Sequence, residues 1–175
     1  MVCDKAKADV IIKKYHYSHK VTKNSFLSFL VYYNGNVEGA IQIGYGINPK
    51  QKGIYKPEEV REFDRMYLTD IPPKFSETIC ISLLHLFLQK KHPQIKYLIS
   101  YSDNSNDVGN EGTIYKAANY KLIDKKKSRF FILESGERVH PITMWHRHKT
   151  QKWEFLTKQY PNIKRSSGYQ MKFIY

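Results

Sequence analysis

The chain is 175 residues long, 41% hydrophobic and 14% aromatic, which suits one globular domain with a sizeable core and excludes a disordered chain. Its formal net charge is +13, and its two cysteines, Cys3 and Cys80, exclude a disulfide-built fold; Cys80, in an apolar helical run, reads as a buried thiol. The first ten residues lack the apolar core of a signal peptide and the longest apolar run, residues 79–88, is too short for a bilayer, so a soluble protein of a reducing, intracellular compartment is expected.

The charge is unevenly spread. Residues 1–20 hold five Lys against two Asp, residues 21–120 hold eleven basic against ten acidic side chains, and residues 121–175 hold thirteen against four. A near-neutral middle between basic ends suits a scaffold that brings a polyanion to a site, and nucleic acid is the first candidate partner. Fourteen tyrosines add flat faces with a hydroxyl, suited to base or ligand contact.

Residues 8–19 read as a short helix, with Val10, Ile11 and Lys14 in helical register, running into Tyr15-His16-Tyr17-Ser18-His19-Lys20. His16 and His19 would share a helical face, but no third ligand has matching spacing and no metal is expected. Residues 25–33 predict a strand, Asn34-Gly35 a hairpin turn, and residues 37–44 the partner strand. Gly44-Tyr45-Gly46 opens a loop over residues 46–58. Residues 60–69 alternate, Phe63, Arg65 and Tyr67 against Asp64, Met66 and Leu68, and predict a strand with Arg65 in its middle. Pro72-Pro73 breaks the chain. Ser76 reads as the N-cap of a long helix that stops at Pro93, with Glu77 supporting the first turn. That helix is apolar on nearly every side, through Ile79, Cys80, Leu83, Leu84, Phe87 and Leu88, and is expected to be deeply buried.

Residues 98–120, LISYSDNSNDVGNEGTIYKAANY, form the candidate centre. An apolar strand turns polar at Ser100-Tyr101-Ser102-Asp103. A loop of Asn, Asp, Ser and Gly follows, and a helix begins after Gly112. A strand that ends in polar side chains before a loop and a helix can mount a site on a rigid scaffold. Residues 121–124 and 129–133 read as two strands around a turn, Lys125-Lys126-Lys127, which is either solvated or grips phosphates. Ser135-Gly136-Glu137 turns the chain, and His140-Pro141 leads into Trp145-His146-Arg147-His148-Lys149. Residues 153–159 read as a helix and residues 168–175 as a closing strand. Lys125, Lys126, Lys127, Arg147 and Lys149 are the candidate nucleic-acid contacts. The order predicts an α/β (α+β) fold, one domain over residues 1–175 with a curved mixed β-sheet flanked by helices.

That element order resembles the N-acetyltransferase (GNAT) fold. In detail, YHYSHK, EFDRMYL, PPKFSET, LISYSD, GTIYKAANY, VHP at 139–141 and the final KFIY resemble the Mom-type DNA modification proteins, over nearly the whole chain. The resemblance implies transfer of a small acyl-derived, carbamoylmethyl-type group to the N6 amine of adenine in double-stranded DNA, protecting phage DNA from restriction in the bacterial host cytoplasm. That amine is a poor nucleophile, because the ring takes up its lone pair. An enzyme must extrude the base, orient the amine, remove a proton and present an activated donor. On this reading Asp103 removes the proton or orients the amine, and Ser100 and Tyr101 hydrogen-bond the base or the donor. Tyr115 stands where acetyltransferases carry a helix tyrosine that protonates the departing group. Arg65 would hold a phosphate or carboxylate. His16, Ser18 and His19 would line the base pocket, Ser76 with the helix N-terminus would take an anion, and Asn119 joins the substrate-binding set. Each has a plainer alternative: a turn or cap for Asp103, packing for Tyr115, an ion pair with Glu62 or Asp64 for Arg65.

Acetyl-CoA enzymes carry a glycine-rich loop where this chain reads PPKFSET, without glycine. The donor therefore stays open between an acyl-CoA and an aminoacyl-tRNA. Two other readings stand beside the first: a GNAT-type N-acyltransferase acting on a protein or small amine, and a non-catalytic DNA-binding protein.

Overall fold

The computed structural model describes residues 1–46, 55–105 and 108–175. Residues 47–54 of the expected loop, and Asn106 and Asp107 of the central stretch, lie outside the described residues. In chain order the elements are β1 (Val2–Cys3), α1 (Lys5–Tyr15), β2 (Ser25–Tyr33), β3 (Asn36–Gly44), a 3-10 turn (Pro57–Glu59), β4 (Val60–Leu68), α2 (Ser76–Lys91), β5 (Tyr97–Ser105) and α3 (Thr113–Ala117). They continue with β6 (Lys121–Lys127), β7 (Phe131–Ile132), β8 (Arg138–Val139), α4 (Pro141–His148), α5 (Trp153–Gln159), β9 (Lys164–Arg165) and β10 (Gly168–Ile174). The chain packs as two compact units. The first comprises Met1–Tyr101, Thr113–Ile123 and Lys172–Tyr175; the second comprises Ser102–Gly112 and Asp124–Met171.

A seven-stranded mixed sheet runs in the order β1-β2-β3-β4-β5-β10-β6. Its first hairpin follows from Asn34 and Gly35, whose φ angles of 48° and 83° suit a tight turn between β2 and β3. Helix α1 buries Ala8 and Ile12 against Leu30 and Ala40. Strands β3 and β4 pair antiparallel, whereas β4 and β5 pair parallel, joined by the crossover through α2. The parallel pairing covers Val60–Phe63 against Tyr97–Ser100 and then stops, so the two strands part beyond Phe63 and Ser100. This is the GNAT-like α/β arrangement that the resemblance implies, a mixed sheet flanked by helices.

In the second unit, β8, β7 and β9 form a small antiparallel sheet. Phe131, Val139, Met144, Leu156 and Ile163 make its core, with Leu133, Trp153 and Tyr160 packed around. Helix α4 starts with Pro141 in its first turn and is capped by His140, whose Nδ1 accepts from the Ile142 N–H at 3.1 Å.

Several local expectations need correction. Helix α1 ends at Tyr15 rather than His19, because His16 takes an extended backbone conformation. The two histidines therefore share no helical face. Phe75 at φ 71°, not Ser76, caps α2; the Ser76 hydroxyl turns back to donate to the Pro73 carbonyl at 2.6 Å. Helix α2 buries only one stripe, Ile81, Leu84, His85 and Leu88, while Ile79, Leu83 and Leu86 are 55%, 60% and 61% exposed. Cys80 is half-buried, with its thiol pushed up chiefly by burial. Strand β5 continues through the residues taken for a polar turn, and the triple lysine lies on β6 rather than between two strands. No described helix is long and apolar enough to cross a membrane.

Candidate active site

The point where β4 and β5 part is lined by side chains of the first unit. Ser100, the last β5 residue paired with β4, is fully buried, and its hydroxyl donates to the Phe63 carbonyl at 3.2 Å. Tyr115, on α3, lies beside Ser100, close enough for the serine to act on its phenol. Its ring stands edge-on to Phe63 and lies beside Phe173 and Tyr120. Burial pushes the Tyr115 phenol up to about 12, against the opposing pull of Ser100 and the Arg65 charge. Tyr115 therefore keeps its proton at neutral pH and has it to give.

Arg65 ties β4 to the segment after α1, donating to the Asp64 carbonyl at 2.6 Å and the Lys20 carbonyl at 3.3 Å. His16 is 6% exposed, and burial, with the charges of Arg65 and His19 acting the same way, pulls it down to about 4. Its Nδ1 accepts from the Ser18 N–H at 3.1 Å and meets the Ser18 hydroxyl at 2.9 Å. The ring is thus neutral at pH 7, with its proton at Nε2, which can donate.

Sequence reasoning gave Asp64, beside this group, only as an ion-pair partner for Arg65. Asp64 is raised above the ordinary carboxylate range by burial, with the Arg65 charge and the neighbouring Thr22 and Glu62 side chains pulling the other way. The β3–β4 register slips opposite it, between Gln42 and Ile43. Gly44 makes the space: a Cβ there would lie 2.2 Å from Asp64 Oδ2 and 2.8 Å from the Asn24 carbonyl. The available signal was this pair, a glycine closing one strand and an acid in the middle of its neighbour.

The other expected residues are placed as follows. Tyr101, in the first unit, is 38% exposed with the Lys172 ammonium 5.9 Å from its ring centroid. His19 and Asn119 are exposed at positive φ, and His19 Nδ1 bonds the Lys13 carbonyl at 3.1 Å. Asp103 belongs to the second unit. There Oδ2 accepts from Arg138 at 2.8 Å and Oδ1 from the Ser105 N–H at 3.1 Å. The fold thus sets Ser100 beside Tyr115, while Asp103 is held by Arg138. Lys125 lies over the Tyr169 ring at 4.3 Å and Lys149 over Trp145 at 5.0 Å. Lys126 pairs with Asp124 at 2.7 Å and Arg147 with Glu137 at 2.9 Å. Among the described residues no three His, Cys, Asp or Glu side chains gather to hold a metal.

The sequence matches the model of the Mom protein family over residues 1–175. The chain belongs to the Mom family. A curated relative, the methylcarbamoylase mom of Escherichia phage Mu, is 32% identical over 141 residues, 78% of this chain and 57% of that protein. The chain therefore spans a little over half the length of the relative. Among solved structures, it is similar to a GNAT family acetyltransferase from Elizabethkingia anophelis with acetyl-CoA bound (13% identity, TM-score 0.45, covering 98% of this chain and 82% of that one). It is also similar to an aminoglycoside acetyltransferase in complex with coenzyme A and kanamycin (15% identity, TM-score 0.47, covering 73% of each chain).

In this Mom-family chain the start of α2 is where the GNAT resemblance puts the diphosphate of an acyl-CoA. The residues present do not fit it. The Ser76 hydroxyl is turned to Pro73, and Glu77 sets a negative charge in the first turn.

Proposed function

We propose that this protein transfers a carbamoylmethyl-type group to the N6 amine of adenine in double-stranded DNA, and that this modification shields phage DNA from restriction in the bacterial cytoplasm. The observation that carries the reading is the buried Ser100–Tyr115 pair where β4 and β5 part, in a chain of the Mom family. A phenol kept protonated by burial supplies a proton to the departing group as its bond to the donor breaks, and Ser100 orients that phenol. Arg65 offers a fixed positive charge to a carboxylate or phosphate, and His16 offers an Nε2–H donor beside Ser18.

The proton leaving the adenine amine needs an acceptor. Both oxygens of Asp103 already take hydrogen bonds. Asp64, raised toward neutrality by burial, is better matched to that work, and the reading favours it. The poor fit of a diphosphate at α2 favours an aminoacyl-tRNA over an acyl-CoA as donor.

The test is nucleoside mass spectrometry on plasmid DNA from cells expressing the protein. A new deoxyadenosine adduct is expected, and its added mass defines the donor group. An unchanged nucleoside profile with folded protein present overturns the reading and turns attention to a protein or small-amine acceptor, or to a binder without chemistry.

A further inference from the structure

The second unit holds a cavity of about 210 Å³ lined by Ser128, Arg129, Phe131, Pro141, Gln151 and Arg165. Its composition is that of an anion cradle. Arg165 pairs across the small sheet with Phe131, and its guanidinium lies 4.7 Å from the Trp153 ring centroid. Stacking on the ring fixes the plane of the guanidinium and leaves its N–H edge available. Arg129 stands two residues from Phe131. Among the described residues neither guanidinium has an ion-pair partner. The Ser128 hydroxyl is buried with no hydrogen-bond partner among the described residues, and a buried polar group left so calls for one.

Pro141 is the first residue of α4, so the positive end of that helix also borders the cavity. The α4 first turn carries no acidic residue. His140, which caps it, is kept neutral by burial and by the Arg129 charge, so its Nδ1 stays an acceptor for the helix. Two guanidiniums, one of them oriented by Trp153, with an amide, an unmet hydroxyl and a helix N-terminus around a space of this size match one tetrahedral oxyanion.

We propose that Arg129, Arg165, Ser128 and Gln151 form a seat for a single backbone phosphate of duplex DNA, a contact separate from the exposed lysines of β6 and from Lys149 after α4. The seat sets the register of the strand as it is gripped, and it carries no base information. The inference rests on the reading of DNA as the acceptor.

The experiment measures the affinity of the full chain for a duplex oligonucleotide by fluorescence anisotropy across a salt series. Arg129→Gln/Arg165→Gln is compared with Lys152→Gln/Lys158→Gln, which removes the same charge from exposed positions of the same unit. The arginine pair is expected to raise Kd about tenfold and to lower the slope of log Kd on log salt by about 1, with the lysine pair changing Kd less than about twofold. Equal effects of the two variants overturn the seat in favour of diffuse attraction. A wild-type protein that does not bind the duplex defeats the DNA reading and the seat together, whereas wild-type binding with an unaffected arginine variant defeats the seat alone. The second readout is the Trp153 indole N–H signal, assigned by Trp145→Phe, on titration with inorganic phosphate. A shift lost in the arginine variant supports the seat. The same shift with no change in the DNA salt slope assigns the cavity to free phosphate and overturns the proposal.

Discussion

The two units use charge in opposite ways. In the first, burial sets the proton-carrying groups near Ser100, holding Tyr115 protonated and His16 neutral beside the single fixed charge of Arg65. In the second, cations stay at the surface and rest on aromatic rings, as Lys125 does on Tyr169, Lys149 on Trp145 and Arg165 on Trp153. A dry pocket moves proton affinities by several units, which suits proton transfer. An exposed, ring-supported cation costs little desolvation and is screened by salt, which suits reversible grip on a polyanion. Chemistry and grip should therefore come apart under mutation.

The largest expected effect is on chemistry. Tyr115→Phe should lower adduct yield by about 100-fold or more, on the order of 3 kcal/mol of transition-state stabilisation, while duplex affinity stays within about twofold. Unchanged yield would remove Tyr115 from the chemistry. Asp64→Asn against Asp103→Asn sharpens the comparison. The first should abolish adduct formation with the fold intact by circular dichroism. The second should lower stability by about 1–2 kcal/mol in urea melts, since the Arg138 pair is only partly buried. The reverse pattern would return the proton-accepting part to Asp103.

Acid should act on the first unit. His85 is buried against Tyr175 at 3.7 Å and bonded to the Tyr120 hydroxyl at 2.9 Å, and burial pulls it down to about 4. His16 is displaced the same way. Both bind protons more readily when unfolded. Their contribution is fully present above pH ~6.5 and is lost as pH falls towards ~4, by up to about 3 kcal/mol each. His85→Gln should flatten that limb in melts at pH 5 against pH 7. The smallest effect is expected from Lys125→Gln/Lys126→Gln/Lys127→Gln. Lys126 already has Asp124, so the duplex salt slope should fall by about 2 rather than about 3.

The sheet was legible in the sequence wherever one face is buried and a turn is chemically marked. Strands β2, β3, β4 and β10 and the Asn34-Gly35 hairpin follow from alternation and turn chemistry. Helix α4 was missed because its eight residues carry two histidines, an arginine and a proline, and Met144 is its only deeply buried large side chain. The face of α2 was misread because apolar composition does not distinguish a buried helix from one with an exposed apolar side. In the site, Tyr115 and Ser100 were legible as a polar strand end followed by a helix. Asp64 was not, since its displaced proton affinity depends on a register slip and on the absent Cβ of Gly44. Pairing of Asp103 with Arg138 joins residues 35 apart, beyond any local pattern.

The strand order has a consequence for how the protein is made. Strand β10 lies between β5 and β6 in the sheet, although both are synthesised well before it. The Leu98 and Tyr175 backbones exchange hydrogen bonds of 3.3 and 3.0 Å across that gap. Until β10 leaves the ribosome, β5 and β6 each present an open edge in a chain that has already built its first four strands. The nascent protein thus passes through a stage with two unzipped strands, and the speed of late translation governs how long they stay exposed to wrong partners.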